Sequence, residues 1–573
     1  MTTIDWIVMG GTLLFIVSYG VWRTRHVKSM SSYLGGDKDL PWWTIGLSIM
    51  ATQASAITFL STPGQAYEDG MRFAQFYFGL PLAMVILAVF VLPIYYRLKV
   101  YTAYEYLESR FDLRTRTLTA ILFLIQRGLA AGLTIYAPAI ILSTILGWPL
   151  RLTVFLIGFL VIIYTVAGGT KAVSVTQKQQ MVVILSGMVI AAIILVRQFP
   201  AGVSFTDAVG VAGKMGKLNV VDFTFDLNNR YTFWSGMLGG TFLFLSYFGT
   251  DQSQVQRYLS GKSLTESRLG LLFNGIFKVP MQFLVLFVGI LVFIFFQFQR
   301  PPVHFNNANL DKLQGTEYED DFRALDQQYT AVFEERQGEI ETMISALRQK
   351  DEATITESQQ RIAQLESQDD AIRKEVKDLI LQADPAAKTK DTDYVFITFV
   401  TNYLPIGLVG LLLAVIFSAA MSSTASELNA LATTTVVDLY RRSFKKEATD
   451  SHYLNASRWF TVLWGGIALV FALSADLFEN LIQAVNIIGS LFYGAILGIF
   501  LVAFFLKRVG SRAVFIAALI SEVIVLIIFY LNSQGKINLA YLWLNLIGCT
   551  LVMVIAWILY LFRIDGQPQA TTE

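Results

Sequence analysis

Small hydroxyl residues cluster in one apolar segment of this 573-residue chain. Ser422, Ser423, Thr424 and Ser426 follow the hydrophobic run 406–417. A hydroxyl buried in hydrocarbon costs free energy unless it finds a polar partner, and small side chains let a neighbouring backbone approach closely. Hydroxyl and carbonyl oxygens suit a hard cation such as Na⁺, so the pattern is compatible with a cation site. The alternative is that these hydroxyls only join neighbouring helices, as serine and threonine commonly do in membranes.

Two further apolar segments are interrupted by polar and helix-breaking residues. The first, residues 42–64, is polar in its middle and outer half and ends in Pro63-Gly64; the second, residues 245–252, ends in Thr-Asp-Gln. A membrane helix can break only where the freed backbone groups face protein, water or a bound ion. Corresponding breaks in two halves of a chain are typical of inverted-repeat transporters, whose binding site lies near the bilayer midplane.

The elements that carry these segments are predicted to be membrane helices. Hydrophobic residues make up 54% of the chain and charged residues 15%, and the mean hydropathy is +0.53. Apolar runs long enough to cross a bilayer core recur throughout, so we expect an all-α integral membrane protein with about 13 transmembrane helices. The expected spans are 4–22, 42–66, 73–96, 116–146, 150–168, 176–197, 232–250, 267–297, 396–436, 453–474, 477–506, 511–531 and 540–562.

The distribution of basic residues predicts the orientation. Lys and Arg concentrate in alternate loops, which are expected to face the cytoplasm. This places the N-terminus outside and the C-terminus inside a plasma (inner) membrane that the chain crosses many times. The predicted inner loops are 22–28, 97–116, 171–178, 257–268, 441–446, 507–512 and the tail from Arg563.

Residues 300–393 form a long acidic segment on the predicted outer side. Hydrophobic residues recur at three-to-four spacing from Phe322 to Leu347 and from Ile355 to Ile380, with a polar break near 350–354. This periodicity predicts two amphipathic helices in an antiparallel hairpin that projects from the outer face. The hairpin is either a solvated insertion or a docking surface for another protein or another copy of the chain.

Several segments together resemble the sodium:solute symporter family. They are Ser48–Thr58, Tyr136–Ala139, Gly168–Val173, Thr250–Ser263, Ser422–Thr433 and Val437–Arg441. The resemblance covers roughly residues 1–300 and 394–530 and implies a LeuT-like core of five-plus-five inverted helix repeats. The expected regions are an extra N-terminal helix and inner loop (1–41), the first repeat and the start of the second (42–299), the hairpin insertion (300–393), the rest of the second repeat (394–506) and accessory C-terminal helices (507–573).

The resemblance also implies a sodium site. The family's conserved site corresponds here to the backbone carbonyls of Ala51, Ala54 and Ala419 and to the hydroxyls of Ser422 and Ser423. Some members bind a second sodium through an aspartate and a further hydroxyl. Those two positions are occupied here by Gln177 and Ala425, so one sodium per cycle is expected.

Glu427 departs from the family pattern, in which this position is often neutral. It lies one helical turn inward of Ser423. One hypothesis is that its carboxylate assists release of sodium into the inner vestibule. The alternative is an interfacial glutamate that faces water or pairs with a basic residue.

The sequence gives only general indications of which residues contact the solute. Tyr247 matches an aromatic gate of the family, although an aromatic side chain at helical spacing is as often plain packing. Phe244 and Thr58 replace the asparagine and glutamine of sugar-transporting members, which argues against a hexose, whereas Lys278 matches a basic residue of those members. The further candidates for polar contacts are Gln53, Ser55, Gln483 and Asn486.

Arg127 is expected near the middle of the membrane, about eleven residues into a helix that enters near Arg116. An arginine at this depth is costly and marks a pathway or a charged partner. Because a guanidinium binds a carboxylate with two hydrogen bonds, Arg127 favours a carboxylate-bearing solute. The alternatives are a structural ion pair and a contact with backbone carbonyls.

These observations favour a Na⁺-coupled symporter that imports a small organic solute by alternating access. A sugar, polyol or amino-acid symporter of the same family is the nearest alternative, and a membrane sensor or scaffold that uses the outer hairpin is another. A channel would need a ring or filter around a pore, and no such segment is evident. The sequence has no nucleophile–base pattern, phosphate loop or metal cluster, so neither an enzyme nor a nucleic-acid partner is expected.

Overall fold

A computed structural model of the protein describes residues 1–24, 40–385, 387–474 and 481–564. Part of the predicted inner loop 22–28 and the tail beyond residue 564 lie outside these residues, as do the side chains of the family segment Gly168–Val173. The described chain is almost entirely helical, because a backbone in lipid must satisfy its own hydrogen bonds. Eight of its helical segments are long and apolar enough to cross a membrane, so the all-α membrane class is confirmed, while the predicted number of spans is not.

The helices of the first half follow the predicted apolar runs closely. Short π-helical turns interrupt them at Leu87–Val91 and Ser235–Gly239. The helices are α1 (Thr3–Thr24), α2 (Trp42–Gln53), α3 (Ala56–Asp69), α4 (Gly79–Ile86), α5 (Leu92–Leu98), α6 (Ala103–Arg110), α7 (Leu113–Leu146), α8 (Leu150–Arg197), α9 (Phe205–Lys214), α10 (Gly240–Gly249), α11 (Gln252–Leu259) and α12 (Leu264–Phe298).

The second half begins with the insertion and returns to membrane-length helices. The helix that carries the serine cluster continues to Phe444 as π-helical turns. The helices are α13 (Glu319–Gln349), α14 (Glu352–Ala383), α15 (Val395–Tyr403), α16 (Leu408–Thr434), α17 (Asp450–Ala472), α18 (Leu481–Phe505), α19 (Ser511–Ser533) and α20 (Leu542–Leu561).

Both predicted helix breaks are present. The first separates α2 from α3 at Ala54 and Ser55, where Ala54 leaves the helical region with φ −84° and ψ 78°. The second separates α10 from α11 at Thr250 and Asp251, and Asp251 caps α11 by accepting a hydrogen bond from the Ser253 amide. The broken pair α2–α3 packs against α12 and α16, and α16 also packs against α7 and α8. These contacts bring the first break and the serine cluster into the interior of the bundle.

One predicted boundary between spans is absent. The expected spans 150–168 and 176–197 belong to a single helix, α8, which runs for 48 residues. No proline lies between Leu150 and Arg197, and the four glycines of the segment, at 158, 168, 169 and 187, do not end the helix. The basic residues that suggested a loop are therefore carried on a continuous helix.

The insertion forms the predicted antiparallel hairpin, with its turn at Lys350 and Asp351, but it does not project freely. The turn end is held against α9, because Arg348 forms an ion pair with Asp207 at 2.6 Å. Apolar side chains on both hairpin helices pack against Val211 of α9. Each helix needs a partner for its hydrophobic stripe, and the two stripes together still leave an apolar surface that α9 covers. The hairpin therefore packs against helix α9 of the same chain.

The base of the hairpin contacts the outer half of the first broken helix. Thr392 donates a hydrogen bond to the Glu68 carboxylate of α3 at 2.6 Å. The backbone at Thr392 approaches α3 so closely at Gly64 that no side chain would fit there. Asp391 accepts hydrogen bonds from the Phe305 amide at 2.7 Å and from Arg373 at 3.0 Å. The insertion is thus tied to a helix that forms part of the candidate site.

We expect this base to loosen in acid. Burial alone would raise the pKa of the Asp391 carboxyl, but the charge of Arg373, with smaller contributions from His304 and Lys377, holds that pKa below its ordinary value. Ionised Asp391 therefore stabilises the base above its unfolded pKa of about 3.9, and the stabilisation is lost as the pH falls below this value. Hydrogen exchange of amides 387–394, corrected for intrinsic rates, should show protection that is lost below about pH 4. Asp391→Asn should lower the protection at neutral pH, and equal protection in both proteins would contradict the prediction.

Candidate functional site

The first helix break and the serine cluster meet in the interior. The Ser422 hydroxyl lies 3.5 Å from the Ala51 carbonyl oxygen, across the contact between α16 and α2. The Ser423 hydroxyl donates to the Ala419 carbonyl at 3.0 Å. At the break, the Ser55 amide donates to the Gln53 carbonyl rather than continuing the helical pattern to Ala51. The five residues assigned to the sodium site by resemblance are therefore buried, and Ser422 of α16 reaches the Ala51 carbonyl beside the break.

These oxygens are all neutral, which suits a monovalent cation that must also be released. The five residues Ala51, Ala54, Ala419, Ser422 and Ser423 are at most 2% exposed. Carbonyl and hydroxyl oxygens are the ligands that hard cations prefer. In the part of the chain that the structure describes, no group of three or more His, Cys, Asp or Glu residues could hold a metal ion. Neutral oxygens of this kind have the chemistry to bind and release an alkali cation, and the assignment of these five residues to a sodium site stays a prediction.

Other members of the serine cluster do join neighbouring helices. Thr424 donates to Thr134 of α7 at 3.1 Å. Gln177 of α8 donates through its amide nitrogen to Thr52 at 3.0 Å and to Ser426 at 3.1 Å, and accepts a hydrogen bond from Ser48. The residue that replaces the family's aspartate therefore fills its site with a neutral amide that links α2, α8 and α16.

A small cavity of about 70 Å³ lies beside the first break. Its wall contains six of the eight predicted solute contacts, together with Glu427. The lining residues are Thr52, Gln53, Ser55, Ile57, Thr58, Phe76, Tyr77, Arg127, Thr134, Leu243, Phe244, Tyr247, Glu427, Ile482, Val485, Asn486 and Tyr493. Polar and charged side chains line this space together with apolar ones, as in a site that orients a small ligand.

Two predicted solute contacts, Gln483 and Lys278, do not line this cavity. Gln483 lies in the first turn of α18, where it accepts a hydrogen bond from Arg230 at 2.6 Å and donates to Gln65 at 3.2 Å. It therefore belongs to a polar network at the end of the helix. Lys278 is fully buried on α12, and its ammonium group has no hydrogen-bond partner among the described residues.

Arg127 lies at the centre of a buried charge cluster in the cavity wall. Its Nε donates to Asp251 Oδ2 at 3.0 Å, its Nη1 to Glu427 Oε1 at 3.1 Å and its Nη2 to the Tyr493 hydroxyl at 2.6 Å. The guanidinium also lies over the ring of Tyr247, 5.2 Å from its centre. Four helices and the second break contribute to this cluster. It can hold those elements together or present a cation to an anionic ligand.

The structure adds three residues that the sequence reasoning did not assign to the site. Asp251 stands in the interrupted segment 245–252, so its position at a break was a usable signal. Tyr493 and Thr134 are ordinary residues of long apolar helices, and nothing in their local sequence marks them. Glu427 pairs with a basic residue: it contacts Arg127 and accepts a hydrogen bond from Thr134 at 2.8 Å, and its role in sodium release stays a prediction.

Comparison with known proteins identifies relatives of this chain. The model of the sodium:solute symporter family matches residues 33–310 and 380–521, which leaves out most of the hairpin. The human sodium/iodide cotransporter is 33% identical over 51% of this chain and 45% of its own length. The mouse sodium-coupled monocarboxylate transporter 2 is 32% identical over 47% of this chain and 44% of its own length. The chain thus spans about half the length of these relatives.

A longer alignment and a solved structure extend the comparison. The mouse sodium-coupled monocarboxylate transporter 1 is 26% identical over 87% of this chain and 68% of its own length. A solved structure of a Na⁺-coupled sialic acid symporter aligns with a TM-score of 0.73 and 21% identity, covering 98% of both chains. This likeness shows a shared fold over nearly the whole chain.

Proposed function

Because the chain belongs to the sodium:solute symporter family, we propose that it is a Na⁺-coupled symporter that imports a small organic anion by alternating access. The main support for this proposal is that Ser422 and Ser423 lie beside the helix break near Ala51 and Ala54. A helix break at membrane depth is tolerated where the freed carbonyls have another partner, and a sodium ion is one that neutral oxygens can bind and release. Sodium is therefore the proposed coupling ion, carried as a substrate of the cycle.

The proposed solute bears a carboxylate. Arg127 is the basic side chain in the cavity wall, and a guanidinium matches a carboxylate through paired hydrogen bonds. The names of two relatives, an iodide cotransporter and monocarboxylate transporters, also describe anionic cargo. The apolar remainder of the wall would receive the body of a small organic acid.

Two polar networks lie at different levels along α18, one at its first turn and one near its middle. Gln65, Gln483 and Arg230 join α3, α18 and the segment before α10. Arg127, Asp251 and Tyr493 join α7, the second break and α18. In an alternating-access cycle the two networks would open in turn. We assign the first to the outer side and the second to the inner side, with the N-terminus outside and the C-terminus in the cytoplasm.

The test is uptake into proteoliposomes under an inward Na⁺ gradient. The solutes are iodide, monocarboxylates, sialic acid, hexoses, inositol and proline. Na⁺-driven uptake of a carboxylate would support the proposal. Uptake of a hexose, inositol or proline alone would favour the sugar, polyol or amino-acid alternative, for which the buried ammonium of Lys278 is the relevant group. No Na⁺-driven uptake and no sodium binding would overturn symport and favour a sensor that uses the hairpin.

One sodium per cycle is expected, because Gln177 and Ala425 replace the second-site residues that resemblance predicts. The double variant Gln177→Asp with Ala425→Ser restores a carboxylate and a hydroxyl beside Ser426, where the Gln177 amide now binds. We expect the Hill coefficient for Na⁺ to rise from about one to about two, since a carboxylate among hydroxyls provides a second cation site. Gln177→Asn, which adds no charge, is the matched control. A Hill coefficient of two in the wild type would contradict the prediction.

A further inference from the structure

Glu427 occupies the part of Arg127 that a solute would need. We propose that this carboxylate is an internal competitor of the solute: an incoming carboxylate displaces Glu427 from Arg127, and the displacement loosens the contact of α16 with α7. The inference rests on the proposed carboxylate solute, and it gives that solute a way to act on the helix that carries the sodium ligands. Glu427 is thus assigned as a positioning residue.

The hydrogen bonds of Arg127 leave little capacity for another anion. A guanidinium has five N–H donors. Nε and Nη2 both donate to Asp251, Nη2 also donates to Tyr493, and Nη1 donates to Glu427. One N–H of Nη1 remains, whereas a carboxylate binds a guanidinium best through two. A solute can gain its second hydrogen bond only by removing one of the present partners.

Glu427 is held more weakly than Asp251. Besides Arg127, Asp251 accepts hydrogen bonds from the Tyr493 hydroxyl at 2.9 Å, the Ser253 amide at 2.9 Å and the Ser253 hydroxyl at 2.6 Å. Glu427 accepts one hydrogen bond from Arg127 at 3.1 Å and one from Thr134 at 2.8 Å. Glu427 also lines the cavity, and Asp251 does not. The solute would therefore meet and displace Glu427 first.

Charge favours exchange over simple addition. Arg127 carries one positive charge and faces two carboxylates, both almost fully buried. A third carboxylate on the same guanidinium would meet strong repulsion in this low-dielectric interior. If Glu427 leaves as the solute arrives, the number of carboxylates on Arg127 does not change. Displacement is thus the electrostatically reasonable route for an anion.

Displacement of Glu427 would act on α16, the helix that carries the proposed sodium ligands. Glu427 and Thr424 both bind Thr134, so these contacts and the ion pair tie α16 to α7. Ser423 lies one turn from Glu427 on the same helix. Removing Glu427 from Arg127 would loosen α16 where it also holds the sodium ligands. Solute binding and sodium binding would in this way act on one movable element.

The experiment measures Na⁺-driven uptake of lactate, as the monocarboxylate probe, by the full-length protein in proteoliposomes. Glu427→Asp keeps the charge but shortens the side chain, and Glu427→Gln removes the charge. If Glu427 competes with the solute, both variants should lower the KM for lactate about tenfold, because the competitor is weakened. The kcat should not rise, because solute binding no longer releases α16. The KM should be unchanged in Glu522→Gln, which alters a buried carboxylate of α19 that does not line the cavity.

The outcomes separate the alternatives. A lower KM in Glu427→Gln alone would show a general charge effect and overturn the competitor model. An unchanged or higher KM in Glu427→Asp, with lactate uptake by the wild type intact, would also overturn it. If the wild type shows no Na⁺-driven uptake of lactate or any other carboxylate, the proposed solute class fails, and this inference fails with it. Thermal unfolding of each purified variant identifies a loss that comes from misfolding.

Discussion

Replacing Ser423 by alanine is expected to lower the apparent Na⁺ affinity and the Na⁺-driven uptake by about 10- to 100-fold or more. A loss of this size is typical even when the removed side chain only supports a metal ligand. Ser423 is a proposed direct ligand. Its hydroxyl is fully buried and lies 3.0 Å from the Ala419 carbonyl oxygen, another proposed ligand. Alanine removes one of five oxygens and changes little else. The measurement is the Na⁺ dependence of solute uptake in proteoliposomes.

Ser418→Ala is the matched control for this loss. Ser418 lies on the same helix and is equally buried, and its hydroxyl has no hydrogen-bond partner within the described residues. The same chemical change there should leave the Na⁺ dependence close to that of the wild type. Equal losses in both variants would indicate general damage to α16. An unchanged Na⁺ dependence in Ser423→Ala would remove this hydroxyl from the site and leave Ser422 to be tested by the same substitution.

The helix breaks could be predicted from local sequence because their cause is local. Polar residues in the middle of an apolar run make a continuous lipid-exposed helix unfavourable, and the chain does break, at Ala54 and Ser55. The same holds for Thr250 and Asp251. The predicted breakers Pro63 and Gly64 instead lie within α3. The partners of Arg127 could not be predicted in this way. Tyr493 and Thr134 are distant in sequence from Arg127, and only the packing of α7, α16 and α18 brings them together.

The depth of a residue along its helix limited the prediction of solute contacts. Gln483 and Asn486 both lie near the start of α18, three residues apart, yet Asn486 lines the cavity and Gln483 joins Arg230 instead. Residues three apart share one face of a helix, so these two differ in depth by about 4.5 Å, and the depth of a helix in the bundle depends on its neighbours. The hairpin shows the same limit: its two helices followed from periodicity, whereas the ion pair between Arg348 and Asp207 depends on tertiary contact.

Replacing Arg127 by glutamine is expected to destabilise the protein strongly, by about 3–5 kcal/mol, the cost of breaking a buried ion pair by removing one partner. Arg127 is 3% exposed and pairs with both Asp251 and Glu427. Glutamine would leave two carboxylates facing each other in the membrane interior without a counter-charge. Carboxylate uptake should be lost as well, because the proposed anchor is gone. The measurement is the free energy of unfolding in mixed micelles, with the exposed Arg151→Gln as a control.

The double variant Arg127→Gln with Asp251→Asn tests whether the loss of stability in Arg127→Gln comes from uncompensated negative charge. Removing one carboxylate together with the arginine should restore a large part of the lost stability, since one uncompensated charge is cheaper than two. Carboxylate uptake should remain absent, because stability returns without the guanidinium. If the double variant is no more stable than Arg127→Gln, the hydrogen bonds of Arg127 to Tyr493, rather than its charge, hold the helices together. If Arg127→Gln unfolds with the same free energy as the wild type, the ion pairs of Arg127 only offset their own desolvation cost, and the expected loss of stability is wrong.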